Sequence, residues 1–143
     1  MRTVRQLLES KGPEVFATTP DAAVIDAIRL MAEKGVGALV VLEPGGRLAG
    51  IVSERDYARK IVLEGRSSKE TPVRDIMTAQ VATVSLDHDA SSCMQLVTDR
   101  RIRHLPVVDG SRVVGVISIG DLVKVVIEEQ QLELEQLQRY INS

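Results

Sequence analysis

The heptapeptide GIVSERD (Gly50 to Asp56) recurs 65 residues further on as GVISIGD (Gly115 to Asp121), with the same spacing from glycine to aspartate. An internal duplication restricts the possible folds more than composition does, because a chain that spells one supersecondary unit twice must build two similar bodies. The match runs well beyond the heptapeptide. VRQLL (Val4 to Leu8) overlays VRDIM (Val73 to Met77), and the stretch from Thr18 to Val62 overlays that from Val84 to Ile127 with one residue deleted in a turn.

Each copy reads strand, helix, strand, strand, helix. Pro20-Asp21 and Asp87-His88-Asp89 place helix-initiating residues ahead of apolar positions at helical spacing, Val24, Ala27, Ile28, Met31 in one copy and Ala90, Cys93, Met94, Val97 in the other. ALVVL (Ala38 to Leu42) and LPVV (Leu105 to Val108) are unbroken apolar runs, the pattern of strands buried on both faces. Pro44-Gly45-Gly46 and Asp109-Gly110 then turn the chain back into LAGIV and VVGVI, giving each copy a β-hairpin. The polar segment EGRSSKETP (Glu64 to Pro72) reads as an exposed linker. The expected division is a first repeat over 1–65, a linker over 66–72, a second repeat over 73–127 and a helical extension over 128–143. A unit of about 60 residues is marginal alone, so the expected fold is mixed α/β, two β-α-β-β-α repeats packed sheet to sheet plus a C-terminal helix. Along that helix Val123, Ile127, Gln130, Leu134, Leu137 and Ile141 fall three or four residues apart, a narrow seam that serves either to cover the first repeat or to self-associate.

Composition excludes several partners. A net charge of −2 offers no broad cationic field for nucleic acid or an acidic membrane, and 2% aromatic residues with no Trp leave few stacking platforms. No run approaches the roughly 18 apolar residues a membrane span needs. The single cysteine, Cys93, points to a reducing compartment, and the expectation is a cytoplasmic protein.

S-x-x-D supports two readings. Ser53 and Ser118 stand where a strand passes into a helix, so each serine with the aspartate three residues on, Asp56 or Asp121, makes a variant capping box. Alternatively, the glycine lets another group approach the backbone, the helix start presents free N–H groups, and a fixed carboxylate accepts both hydroxyls of a ribose diol. The set formed by the doubled unit, IRHLPVVD (Ile102 to Asp109), the two G-h-h-S-x-x-D motifs and the opening VR segments resembles the cystathionine-β-synthase-type regulatory domain (CBS domain) family, whose units pair into a Bateman module.

The resemblance implies two pseudo-symmetric clefts between the halves for adenine nucleotides or other adenosyl ligands. It gives Asp56 and Asp121 the ribose hydroxyls, and Ser53 and Ser118 the ribose or phosphate. By position it suggests an adenine slot at Thr18, Ala22, Ala38 and Ile51 in one copy, and at Val84, Ser85, His104 and Val116 in the other. The copies differ where phosphate would be held: Gly37-Ala38 aligns with Arg103-His104, and Arg55 aligns with Gly120. Arg103 must reach water, a carboxylate such as Asp109, or a ligand anion, which its planar fork suits. His104 either hydrogen-bonds the backbone or donates to phosphate. Arg55 and Lys34 are further candidates for a phosphate.

Nothing in the chain assembles a catalytic set. There is no HExxH, CxxC, GxSxG or P-loop, Cys93 lies on an apolar helix face, and no spacing of His, Cys and Asp suits a metal. The expected function is a non-enzymatic sensor. It binds AMP, ADP or ATP, or else NAD(H), with Mg²⁺ only alongside a polyphosphate, and signals through conformation or assembly to an effector protein. Family modules of this kind pair into disc-like homodimers. The alternative is a ligand-independent interaction scaffold.

Overall fold

The computed structural model describes residues 1–142; Ser143, the last residue of the expected extension, lies outside the described residues. Five α-helices and five strands follow in the order α1 (Val4–Lys11), β1 (Ala17–Thr18), α2 (Val24–Lys34), β2 (Ala38–Leu42), β3 (Leu48–Ser53), α3 (Glu54–Tyr57), α4 (Ala90–Arg100), β4 (His104–Asp109), β5 (Arg112–Ser118) and α5 (Ile119–Asn142). A π-helical turn, Ala58–Val62, continues α3, and a 3₁₀ turn, Val73–Asp75, carries the second VR segment. The mixed α/β class and both hairpins are as expected. The opening strand of each copy is brief: β1 has two residues, and its counterpart is a single parallel bridge from Val84 to Val107.

Two compact units form. One comprises Glu14–Ala82 with Val108–Val114; the other comprises Met1–Pro13, Thr83–Val107 and the chain from Gly115 onward. Neither is one sequence copy, because the leading segment of each copy belongs to the unit built mainly from the other. In the first, Val73 and Ile76 are fully buried among Val24, Ala27, Met31, Leu39, Val41, Val52 and Ile61. The Val73 and Arg74 amides donate to the Ala22 and Pro20 carbonyls at 2.8 and 3.0 Å. In the second, Val4 and Leu7 are buried, and the Val4 and Arg5 amides donate to the His88 and Leu86 carbonyls at 2.7 and 3.1 Å. The two seatings repeat one another, so the exchange is built into the duplicated sequence.

That seating revises the expected linker and the start of α2. Within Glu64 to Pro72, Thr71 is buried, and the carbonyls of Thr71 and Ser68 each accept an amide, from Val24 and Ile25 respectively, at 2.9 Å. The linker therefore caps α2 with its backbone, and the N-cap residue, Ala23, makes no side-chain bond. Asp21 pairs with Arg74 and does not cap the helix. In α4 the expectation holds, since Asp89 Oδ1 accepts the Ser92 amide at 2.7 Å.

In the unit of Glu14–Ala82 the sheet order is β1-β2-β3, with β1 parallel and β3 antiparallel to β2, and Ala38 stands opposite Ser53. β4 and β5 form a separate two-stranded sheet joined by a two-residue turn. Helix α5 is continuous for 24 residues; Leu122 and Val125 are buried, whereas the seam residues Val123, Ile127, Leu134, Leu137 and Ile141 are all exposed. Among the described residues the seam is left largely open, which does not fit the first of its two readings. No helix among the described residues is long and apolar enough to cross a membrane.

Candidate functional site

Each motif closes a hairpin and opens a helix, and in both copies the capping geometry is complete. Ser53 is extended at the end of β3 (φ −130°, ψ 166°). Asp56 Oδ2 accepts the Ser53 amide at 2.9 Å and the Ser53 hydroxyl at 3.0 Å, and the Asp56 amide donates to Ser53 Oγ at 3.2 Å. In the second copy the Ser118 amide donates to Asp121 Oδ2 at 2.8 Å and the Asp121 amide to Ser118 Oγ at 3.1 Å. In each the helix start is bonded through Oδ2 alone. No hydrogen bond among the described residues uses Oδ1 of either aspartate, and both side chains remain partly exposed, 17% for Asp56 and 30% for Asp121.

The motif glycines admit protein. A Cβ built on Gly50 would stand 2.5 Å from the Thr78 carbonyl oxygen and 3.0 Å from Met77 Sδ; one on Gly115 would stand 2.5 Å from a Leu8 methyl. Leu8 and Met77 are equivalent residues of the two leading segments. The close approach that glycine permits is therefore taken up by the exchanged segment in both units.

Sheet register sorts the suggested adenine residues. Side chains alternate across a strand, and the buried Leu39, Val41, Gly50 and Val52 share one face, leaving Ala38, Ile51 and Ser53 on the other. Thr18 pairs with Val41 and goes with the core face, apart from Ala38 and Ile51. Likewise Val84, 1% exposed, bridges Val107, whereas Val116 and Ser118 alternate with the buried Gly115 and Ile117. Ala22 packs on the core of its unit and gives its carbonyl to Val73. Ser85 donates its amide to His88 Nδ1 at 3.0 Å and places its hydroxyl at the same distance from that nitrogen, while His88 itself is exposed.

Electrostatics separate the two motifs. The amide after each serine donates to the residue preceding the strand, Glu54 to the Gly37 carbonyl at 3.0 Å and Ile119 to the Arg103 carbonyl at 2.8 Å. Gly37-Ala38 and Arg103-His104 thus occupy the same backbone seat. Arg103 is exposed and forms no ion pair with Asp109 among the described residues. Burial lowers the His104 pKa, helped by the Lys11 and Arg103 charges and opposed by Asp121. Burial raises Asp121, but the bond from Lys11 and the Ser118 amide outweigh it and hold the carboxyl below its ordinary range. Lys11 Nζ lies 2.8 Å from Asp121 Oδ2 and 2.7 Å from the Val116 carbonyl. At Asp56 the neighbouring cation is Lys60, 3.5 Å from Oδ1. Arg55 is exposed, and Lys34 sits 5.5 Å above the Phe16 ring. Cys93 is fully buried, and burial pushes its thiol pKa up, which suits packing and not nucleophilic attack.

Sequence reasoning missed Lys11. It is 110 residues from Asp121, and only the exchange of leading segments brings the two together. The one trace in the sequence is that Lys11 aligns with the uncharged Gln80.

Two units on one plan, each passing from hairpin to helix through a serine–aspartate box, define a tandem-repeat α/β protein. Residues 4–63 and 73–128 match the family model described as CBS domain. The chain belongs to the CBS-domain family, as a pair of such domains. It is 45% identical over 147 residues to the Arabidopsis thaliana protein named CBS domain-containing protein CBSX3, mitochondrial, covering 97% of this chain and 71% of that one. A solved protein with CBS domains from Burkholderia ambifaria MC40-6 is 53% identical with a TM-score of 0.84, covering 90% of this chain and 96% of its own. The CBS domain pair of MJ0100, solved with 5′-methylthioadenosine and S-adenosyl-L-methionine, shares the fold at 20% identity and a TM-score of 0.80, over 90% of this chain and 98% of its own.

Proposed function

We propose that the chain is a regulatory module responding to an adenosyl ligand, with Asp56 and Asp121 as ribose anchors. The observation that carries this reading is the state of the two carboxylates: one oxygen is fixed by the helix start, and the other, on a partly exposed side chain, makes no hydrogen bond among the described residues and has at most a lysine 3.5 Å away, at Asp56. Such an oxygen accepts from a vicinal diol with no reorganisation of its own. The MJ0100 pair, which holds two adenosyl compounds, supports the ligand class. AMP, ADP or ATP rank ahead of NAD(H), and Mg²⁺ would arrive only with a polyphosphate. Ser53, Ser118, Arg55, Arg103 and His104 would serve ribose or phosphate, and Ala38, Ile51 and Val116 the base. The chain acts as a homodimer in the cytoplasm, and its output is a shift of conformation or assembly read by an effector protein. A differential affinity of about 1–3 kcal/mol between two arrangements is enough for such a signal.

A second reading, a ligand-independent scaffold, is favoured by one observation: the capping boxes alone give S-x-x-D a complete role. Thermal denaturation with AMP, ATP and NAD separates the two. A ligand at 100 times its Kd stabilises the fold by about 2.7 kcal/mol, and Asp56→Ala and Asp121→Ala divide that gain between the motifs. No shift with any nucleotide would leave the scaffold.

A further inference from the structure

Each motif aspartate has a lysine beside it, and the two lysines come from unrelated places. Lys60 is one turn beyond Asp56 on the same helical segment, and its ammonium donates to the Ile76 carbonyl at 2.9 Å. Lys11 comes from the end of α1 and bridges Asp121 Oδ2 and the Val116 carbonyl. An ammonium has three donors, so these bonds leave Lys11 one, on a side chain 40% exposed. The duplication conserves neither arrangement: Lys11 aligns with Gln80, and Lys60 with Val125.

The surroundings differ in charge as a result. Lys11 and Arg103 both lower the pKa of His104, and of the two it is Lys11 that is bonded to Asp121. At the other motif Lys60 offsets Asp56, Arg55 is adjacent to Glu54, and the seat of Arg103-His104 is filled by Gly37-Ala38. Resting on the reading of Asp121 as a ribose anchor, we infer that Lys11 is a specificity-determining residue of that site, selecting adenosyl ligands that carry a phosphate over uncharged ones. Its ammonium is already fixed by two acceptors, so a charge-assisted bond to phosphate costs little further ordering. An uncharged nucleoside gains nothing from it. The first copy thereby supplies the selectivity of the second copy's motif.

The test is calorimetric titration of the full chain, in an Asp56→Asn background, with adenosine and with AMP. Lys11→Met should weaken AMP about tenfold and change adenosine by less than about twofold, and Lys11→Arg should keep the preference for AMP. Equal effects on both probes, or none, overturn the inference. Absence of binding by either probe, or binding untouched by Asp121→Asn, sinks the ribose-anchor reading and this inference with it. If Lys11→Met does not fold, salt replaces it: the preference of the Asp56→Asn protein for AMP over adenosine should shrink as salt rises from about 50 to about 500 mM, and a constant preference overturns the inference.

Discussion

Gly50 lies against the Thr78 carbonyl so closely that a β-carbon built on it would come within 2.5 Å of that oxygen. The contact is flanked by a reciprocal pair of backbone bonds, Ile51 amide to Thr78 carbonyl at 3.0 Å and Thr78 amide to Ile51 carbonyl at 2.9 Å, so the obstacle is fixed. Gly50→Ala should therefore destabilise the protein by about 1–3 kcal/mol. Gly115→Ala meets only the end of the Leu8 side chain, which can turn aside, and should cost less. Urea denaturation of both variants would show the order.

The serine caps predict equal treatment of the two copies. Each serine oxygen accepts one amide of its helix start, and loss of such a cap costs about 0.5–2 kcal/mol. Ser53→Ala and Ser118→Ala should each lower the unfolding free energy by an amount in that range, read as a fall in the urea midpoint at unchanged slope, without nucleotide present. A variant at the wild-type midpoint would show that its cap contributes nothing.

Arg101 ends α4 in the left-handed region (φ 54°, ψ 43°), where Gly35 ends α2 in the equivalent place (φ 67°, ψ 34°). A side chain there is strained, and glycine removes the strain at some cost in unfolded-state entropy. Arg101→Gly should stabilise the fold by a net ~0.5–1 kcal/mol, read as a rise in melting temperature.

Burial, with the Lys11 and Arg103 charges, holds the His104 pKa below its ordinary 6.5. The folded state thus binds a proton less readily than the unfolded state, so stability contributed by neutral His104 is present above pH 6.5 and falls as the pH drops from there through the lower folded-state value. His104→Ala, which installs the residue of the first copy, should flatten the loss of stability as the pH falls below about 6.5. An unchanged slope in denaturation curves across that range would assign the acid sensitivity elsewhere.

Leu134 and Leu137 are 59% and 57% exposed on α5. The double variant Leu134→Glu, Leu137→Glu should leave the stability of the fold within about 0.5 kcal/mol of wild type, with the solution mass by light scattering reporting any self-association the seam supports.

The hairpins, the apolar strands and the placement of S-x-x-D were legible because they depend on neighbours in sequence: alternation, turn residues and a cap three residues from its partner. The exchange of leading segments was not, since VRQLL and VRDIM show what they bury and not against which copy they bury it. Lys11 stayed hidden for the same reason, and so did the role of the linker, where backbone carbonyls of Ser68 and Thr71 do what a side chain at Ala23 would otherwise do. Thr18 and Val84 were placed with the base by position alone; the register sets them on the face turned to the core.

Because Val4 and Leu7 find their seats beyond residue 83, and Val73 and Ile76 find theirs before residue 62, a cut at the boundary between the copies parts each leading segment from its seat. A gene fragment carrying a single copy would yield an arm without a socket and a socket without an arm. Two such fragments would be complete only by trading arms, as swapped dimers do.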